Sequence, residues 1–229
     1  MSVFFVTGCG TDIGKTFISC ALLKIWRNQG LAVDAFKPVL SGIEPGSDDA
    51  ATLLKALERE ETAQHRAFIA PNQFVAPLSP HIAAAKEGVL LSAGTIIKQC
   101  CAAITASQAD IMLIEGAGGV AVPINHHELI LDIIIGLKTD IIFITSDYLG
   151  SISHSLTALH MLKHHSCNVR HIVINQSDAS VGLDAMADTL RHFSPYHVPI
   201  TRIPRMNDNE SVIHIKEVQH MAQSIAQLS

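Results

Sequence analysis

Val3-Phe4-Phe5-Val6-Thr7 runs straight into Gly8-Cys9-Gly10-Thr11-Asp12-Ile13-Gly14-Lys15-Thr16. A short apolar run stops at a glycine-rich turn, the turn ends in Gly-Lys-Thr, and a helical pattern follows, with Phe17, Ala21, Leu22 and Ile25 on one face and Gly30 as its stop. Strand, loop and helix in this order make a phosphate-binding P-loop. The glycines let backbone N–H groups converge on one point, and the new helix aims its unpaired N–H groups and positive dipole end at the same point. Lys15 is expected to reach the terminal phosphates and the Thr16 hydroxyl to hold a magnesium ion. The usual spacing has its first glycine where this chain has Cys9, with Gly8 and Gly10 on either side. An ordinary glycine-rich turn is the competing reading; the flanking pattern and the Lys-Thr pair weigh against it.

The chain has 229 residues, 48% hydrophobic and 16% charged, which suits one large α/β domain over residues 1–229. Its mean hydropathy of +0.30 is high. A parallel sheet covered on both faces accounts for that, because its strands are apolar throughout. No run approaches the ~18 uninterrupted apolar residues of a membrane helix, and no basic segment precedes the first apolar run. A net charge of −5 without a basic cluster argues against nucleic acid as a partner. Five cysteines in no metal or redox spacing fit a reducing cytoplasm.

Further along, residues 32–37 read as a strand that stops at Pro38, leaving Lys37 at its carboxyl end. Strand carboxyl ends form the ligand crevice of open α/β sheets, so Lys37 is either a second phosphate ligand or a solvated strand-end lysine. Ser47 is the expected N-cap of a helix over 48–57; Asp48 and Asp49 then either complement its dipole or supply a carboxylate to magnesium. Residues 58–66 read as a charged, solvated surface segment, 72–80 as irregular, and 81–87 and 92–107 as helices. Asp110 to Glu115 reads as a buried strand tipped by a carboxylate and followed by Gly116-Ala117-Gly118-Gly119, the usual partner of a P-loop. A helix is expected over 129–137, a strand over 140–146, and a helix from about 151 to 165 opened by Leu149-Gly150-Ser151, a second possible anion site. A strand at 170–175 ends in Asn175. Helix 181–193, a short strand at 199–204 and helix 211–227 complete the chain. His160 and His164 have the spacing of a metal pair but lack further ligands nearby, so they are read as surface histidines.

Taken together, GTDIGKT, Lys37-Pro38 to Ser41-Gly42, Ser79-Pro80-His81, Glu115-Gly-Ala-Gly-Gly and Asn175 resemble the dethiobiotin synthetase family over nearly the whole chain, least in residues 55–70 and 178–200. The resemblance implies a single-domain P-loop nucleoside triphosphate hydrolase fold, with a mostly parallel central sheet and helices on both faces. It also implies an ATP-dependent, magnesium-requiring cytoplasmic homodimer that closes 7,8-diaminononanoate and CO2 (or bicarbonate) into a cyclic urea through a phosphorylated carbamate. Lys37, Lys15 and Thr11 would be catalytic. Thr16, Asp49 and Glu115 would hold magnesium, with Asp48 the alternative to Asp49. Asp12, Ile13, Gly14, Lys15, Thr16, Phe17, Asp49, Glu115, Gly116, Ala117, Gly118, Asn175, Gln176, Pro204 and Glu210 would line the ATP site. Thr11, Lys37, Ser41, Pro80, Leu149, Gly150, Ser151 and Ser153 would meet the substrate, the last four from the partner subunit. The family commonly has asparagine where this chain has Ser153, so that contact would pass to water or to Ser151.

Two rivals share the nucleotide domain. Partition- and septum-site switch ATPases carry a signature lysine where this chain has Gly10, and cobyrinate-type amidating ligases need a glutaminase domain. Cys9, just ahead of a helix N-terminus where a thiolate is favoured, is expected either to be alkylated faster than the other cysteines and protected by Mg-ATP, or to be a buried, inert thiol.

Overall fold

The computed structural model describes residues 1–205, 213 and 215–227. In chain order the elements are β1 (Ser2–Gly8), α1 (Lys15–Asn28), β2 (Val33–Phe36), β3 (Val39–Ser41), α2 (Asp49–Ala56), α3 (Ala63–Ile69), β4 (Asn72–Phe74), α4 (Pro80–Lys86) and α5 (Ala93–Ala106). They continue as β5 (Ile111–Glu115), α6 (Ile130–Leu137), β6 (Asp140–Ser146), α7 (Ser151–His164), β7 (Val169–Asn175), α8 (Leu183–Phe193), β8 (Ile200–Ile203) and α9 (Lys216–Ala226). Six strands form one sheet in the order β2-β5-β1-β6-β7-β8. All its pairings are parallel.

The strands are apolar throughout because both faces of this sheet are covered. Successive side chains alternate between the two faces. Phe5, Met112, Ile114 and Phe143 pack against α4 to α8. Phe4, Val6, Leu113, Ile142 and Ile144 pack against α1, α2 and α9. Each fully buried Phe, Leu or Ile side chain contributes roughly 1.5–3 kcal/mol over its exposed state, so these continuous runs dominate the fold. The indole N–H of fully buried Trp26 donates to the Ala222 carbonyl at 2.9 Å and fastens α9 to α1.

Because every pairing is parallel, the strand carboxyl ends lie along one edge. There Gly8, Glu115 and Asn175 end β1, β5 and β7, and Lys37 follows β2. Lys37 has left the ladder: its backbone N–H donates to the Ile69 carbonyl at the end of α3, 2.7 Å away.

Several local expectations are corrected. Asp48, not Ser47, caps α2; its side chain accepts from the Ala51 N–H, and the helix starts at Asp49. The charged segment 58–66 is not simply solvated: Thr62 caps α3 there, and the Arg66 side chain is only 12% exposed. The stretch 72–80 contains β4, which pairs in parallel with β3 as a separate two-stranded sheet, Leu40 opposite Gln73. Residues 129–137 are a helix, as expected from their tight spacing to β6. Glu210, expected near the nucleotide, lies outside the described residues.

His171 in β7 is 3% exposed, and its Nε2 lies 2.8 Å from the Thr201 hydroxyl in β8. Burial, with His220 adding to it, pushes His171 down to about 4 from an ordinary value of 6.5. Between those values the unfolded chain binds a proton that the folded one refuses, so stability falls as pH drops through that window. Lowering the pH from about 7.5 to about 5 should therefore cost about 2 kcal/mol from this residue alone. Urea denaturation at the two pH values should show that loss in the parent chain and a clearly smaller one in His171→Gln. Equal losses would remove His171 as the cause.

Candidate active site

The loop after β1 meets α1 at Gly14, whose φ of +87° is a left-handed conformation natural to glycine. A Cβ at Gly14 would also strike the Asn175 amide, 2.4 Å from its Nδ2. That amide is why the loop is so close: Asn175 Nδ2 donates to the Ile13 carbonyl at 2.7 Å and ties the end of β7 to the P-loop. Gly119 plays the matching part on the other side, its ideal Cβ position lying 2.9 Å from the Cys9 carbonyl carbon and the Gly10 nitrogen.

Inside this frame the charged side chains converge. Lys15 is buried and donates to the Gly10 carbonyl at 2.7 Å. Burial, then the nearby Lys37 charge, push it down to about 8 against the pull of Glu115 and Asp49. Lys37 is 3% exposed, 2.6 Å from Asp49 Oδ2 and 2.7 Å from Glu115 Oε1. Burial alone would lower its affinity for the proton; the Glu115 and Asp49 carboxylates overcome this and hold it above the ordinary lysine value, so it stays an ammonium. Burial likewise pushes Asp49 up, and Lys37 more than offsets it, leaving that carboxyl below its ordinary range. The solvated-lysine reading of Lys37 is thus excluded.

Thr16 Oγ1 lies 2.8 Å from Asp49 Oδ1 and 2.7 Å from Glu115 Oε1. A hydroxyl has one proton to donate, so it can serve only one of these carboxylates at a time. Two formal negative charges share Lys37 as their immediate partner. This oxygen cluster is short of positive charge, and hard oxygen donors with room for outside ligands are what magnesium takes. Among the described residues no group of three or more His, Cys, Asp or Glu side chains could hold a metal. Two carboxylates and a hydroxyl therefore fit magnesium only together with outside oxygens such as phosphates, its usual arrangement in P-loop proteins.

Two residues in and beside this cluster escaped the sequence reading. Ser19 donates to Glu115 Oε2 at 2.7 Å and so fixes the second oxygen of a 1% exposed carboxylate. Ser19 stands one helical turn after Thr16, a spacing that could have revealed it. Arg66 grips Asp48, and nothing local in the sequence marks that contact. Asp48 is thus occupied by Arg66, and Asp49 is the aspartate that faces Thr16 and Lys37.

The other expected residues divide between two adjoining clefts. A cleft of about 820 Å3 is lined by Thr11, Asp12, Lys15, Thr16, Phe17, Lys37, Ser41, Asp49, Pro80, Ala117 and Gly118. A second, of about 530 Å3, is lined by Thr11, Asp12, Ile13, Phe17, Tyr148, Asn175, Gln176, Ile203, Pro204 and Arg205. Asn175 Oδ1 is buried there without a hydrogen-bond partner among the described residues. Gly116 is bonded to Val6 across the sheet at 3.0 Å and does not line either cleft. Nor do Leu149, Gly150, Ser151 and Ser153. Leu149 is 87% exposed, and Gly150 caps α7 with a left-handed backbone. Ser153 is exposed, whereas Ser151 is fully buried with its hydroxyl toward the Met186 sulfur at 3.7 Å, so its side chain is not a substitute for Ser153. Cys9 is half-buried, 3.2 Å from the Thr145 hydroxyl, whereas Cys101 is exposed; exposure thus runs against Cys9 as the fastest-alkylated cysteine.

Gly119→Ala would drive a Cβ into the loop backbone and displace it. Calorimetric titration should show ATP affinity falling about 10- to 100-fold. Unchanged affinity would show that residue 119 does not seat the loop.

A family model described as an AAA domain matches residues 2–212. The chain is 43% identical over 180 residues to the ATP-dependent dethiobiotin synthetase BioD of Phenylobacterium zucineum, covering 77% of each chain. It is 38% identical over 208 residues to the enzyme of the same name from Caulobacter vibrioides, covering 90% of this chain and 93% of that one. The cell division ATPase MinD of Pyrococcus furiosus superposes over 100% of both chains with a TM-score of 0.64 at 14% identity, which speaks for the fold alone. Identity at that level along nine-tenths of the sequence, on a P-loop α/β fold, has one meaning: the chain belongs to the ATP-dependent dethiobiotin synthetase family.

Proposed function

We propose that this protein makes dethiobiotin from 7,8-diaminononanoate, CO2 and ATP, releasing ADP and phosphate, as a step of biotin synthesis. The observation that carries the proposal is the cluster of Lys15, Thr16, Lys37, Asp49 and Glu115 at the strand ends, in a chain whose relatives are named for that activity. The switch-ATPase alternative has in its favour likenesses of fold at 18% identity or below, which speak for the fold alone.

The chemistry explains the charges. CO2 adds to one amine, which loses a proton, to give a carbamate; its negative charge is shared by two oxygens, so the carbon they flank is a poor electrophile. A carbamate oxygen attacks the γ-phosphorus, ADP leaves, and the mixed anhydride carries phosphate as a leaving group. The second amine attacks its carbonyl carbon, expels phosphate and closes the cyclic urea, losing a proton. Bringing carbamate and γ-phosphate together costs several kcal/mol unless cations stand between them. Lys37, held protonated by its carboxylates, supplies one such charge, and Lys15 a second once it swings from the Gly10 carbonyl to phosphate. Thr16, Asp49 and Glu115 would hold magnesium, which when bound neutralises β- and γ-phosphate charge. The P-loop N–H groups orient the phosphates. No enzyme nucleophile is required, because the substrate brings both amines.

Thr11, Ser41 and Pro80 line the larger cleft and would position the diamine chain. In the smaller cleft the buried, unpartnered Asn175 Oδ1 suits the exocyclic amine of adenine, with Gln176 and the Pro204 backbone beside it; Glu210 remains a proposed member of this region. The start of α7, with Leu149, Gly150, Ser151 and Ser153, would receive the substrate carboxylate of the other protomer in a homodimer through backbone N–H groups other than that of Ser151, which donates to the Tyr148 carbonyl at 3.0 Å. The 87% exposed Leu149 is consistent with a covering partner. Five free cysteines suit a cytoplasmic setting.

Incubation with Mg-ATP, bicarbonate and 7,8-diaminononanoate should yield the cyclic urea by mass spectrometry; ATP turnover without it, stimulated instead by DNA or lipid, would overturn the proposal. Lys37→Ala should lower kcat by about 100- to 1,000-fold while ATP affinity stays within a few-fold. Normal turnover would remove Lys37 from the mechanism.

A further inference from the structure

Arg66 meets three side chains from separate parts of the chain. Its guanidinium forks onto Asp48, NH1 to Oδ1 at 3.1 Å and NH2 to Oδ2 at 2.7 Å. It also reaches Glu61 and, at 3.0 Å, Gln73 Oε1 in β4. Asp48 in turn accepts from the Ala51 N–H at 3.0 Å, the N-cap bond of α2, and from the Glu44 N–H at 3.0 Å. Both its oxygens are therefore fully used, and its side chain is 2% exposed. A fork of two parallel bonds fixes orientation as well as distance, which a single charge does not. The next residue along is Asp49, whose backbone direction is set by that cap. The same helix α3 holds the Lys37 backbone through Ile69, so one short element braces both partners of the Lys37–Asp49 pair.

We infer that Arg66 is a positioning residue for the magnesium–nucleotide site, acting through Asp48 to aim Asp49 at the oxygen cluster of Thr16 and Glu115. This rests on the proposed role of Asp49 as a metal ligand. Outer partners that orient ligating carboxylates typically change metal affinity or activity by about 10- to 100-fold when removed. The signature is selective. Arg66 touches neither the P-loop nor the adenine cleft, so nucleotide binding without metal should not depend on it.

The test is calorimetric titration of ADP into the protein, with magnesium absent and at graded magnesium concentrations. In Arg66→Ala the affinity for metal-free ADP should stay within about 2-fold, while the magnesium concentration for half-maximal tightening rises about 10- to 100-fold. Arg66→Lys, a point charge that cannot fork, should fall between. Asp48→Asn keeps an oxygen for the helix cap and loses the paired fork, so it should shift the same way and serves if Arg66→Ala does not fold. Asp49→Asn is the reference. If it raises the magnesium requirement but folded Arg66→Ala and Asp48→Asn do not, Arg66 merely holds the surface together and the inference is wrong. If Asp49→Asn itself leaves the requirement unchanged, the metal assignment fails and takes the inference with it.

Discussion

The structure turns on a buried carboxylate, that of Glu115. With 1% of its surface exposed it would be costly to keep ionised alone, and all three of its partners come from elsewhere in the chain. Lys37 and Thr16 share one oxygen and Ser19 takes the other. Those partners can meet there only because the sheet is parallel. β2 and β5 are neighbours running the same way, so the lysine after one and the acid ending the other arrive at the same edge. β1 lies on the other side of β5 and delivers the P-loop and α1, with Thr16 and Ser19 one turn apart. Fold and site are thus the same constraint seen from two sides.

Around that centre the chain supplies more than one layer of support. β3 and β4 are short strands outside the main sheet. They carry Ser41 to the larger cleft and close the segment that begins at Lys37-Pro38. α3 links this segment to α2 through Arg66 and Ile69. On the side proposed for the nucleoside, fully buried Asp147 plays a comparable part: its carboxylate accepts from the Ser177 N–H at 2.7 Å and from the Ser180 hydroxyl, shaping the loop beside Asn175 and Gln176. The phosphates would be held by backbone and the charges by side chains, each set braced by elements that do not touch the ligand.

What could be read from the sequence, and what could not, divides along the same lines. The P-loop, Glu115 and Lys37 were legible because each sits at a strand end that an apolar run and a glycine or proline announce locally; Asn175 was marked by its apolar run alone. The strand over 140–146 was legible from its apolar run, the helix before it from the short spacing between them, and the helix after it from the glycine and serines that open it. α3 was misread, since seven residues with histidine and arginine look solvated until Arg66 finds Asp48, 18 residues earlier. β3 and β4 were missed as a pair because neither three-residue strand has a pattern of its own; they exist through each other. The doubled aspartate could not be ordered by helix rules alone: both residues suit a helix start, and the distant arginine and the Ala51 N–H mark Asp48 as the cap, leaving Asp49 to face Lys37 and Thr16. Ser151, a plausible ligand by position, is turned inward by its packing on Met186, which no local pattern records.

The claim at the centre of this account is that the charges around Glu115 serve to phosphorylate a carbamate. It is tested most directly by following oxygen. Protein supplied with Mg-ATP, 7,8-diaminononanoate and freshly mixed bicarbonate carrying 18O should release phosphate containing one 18O per turnover, because the carbamate oxygen that attacks the γ-phosphorus leaves with it. Unlabelled phosphate from the same mixture, with label conversion in dissolved CO2 verified as intact, would contradict the account.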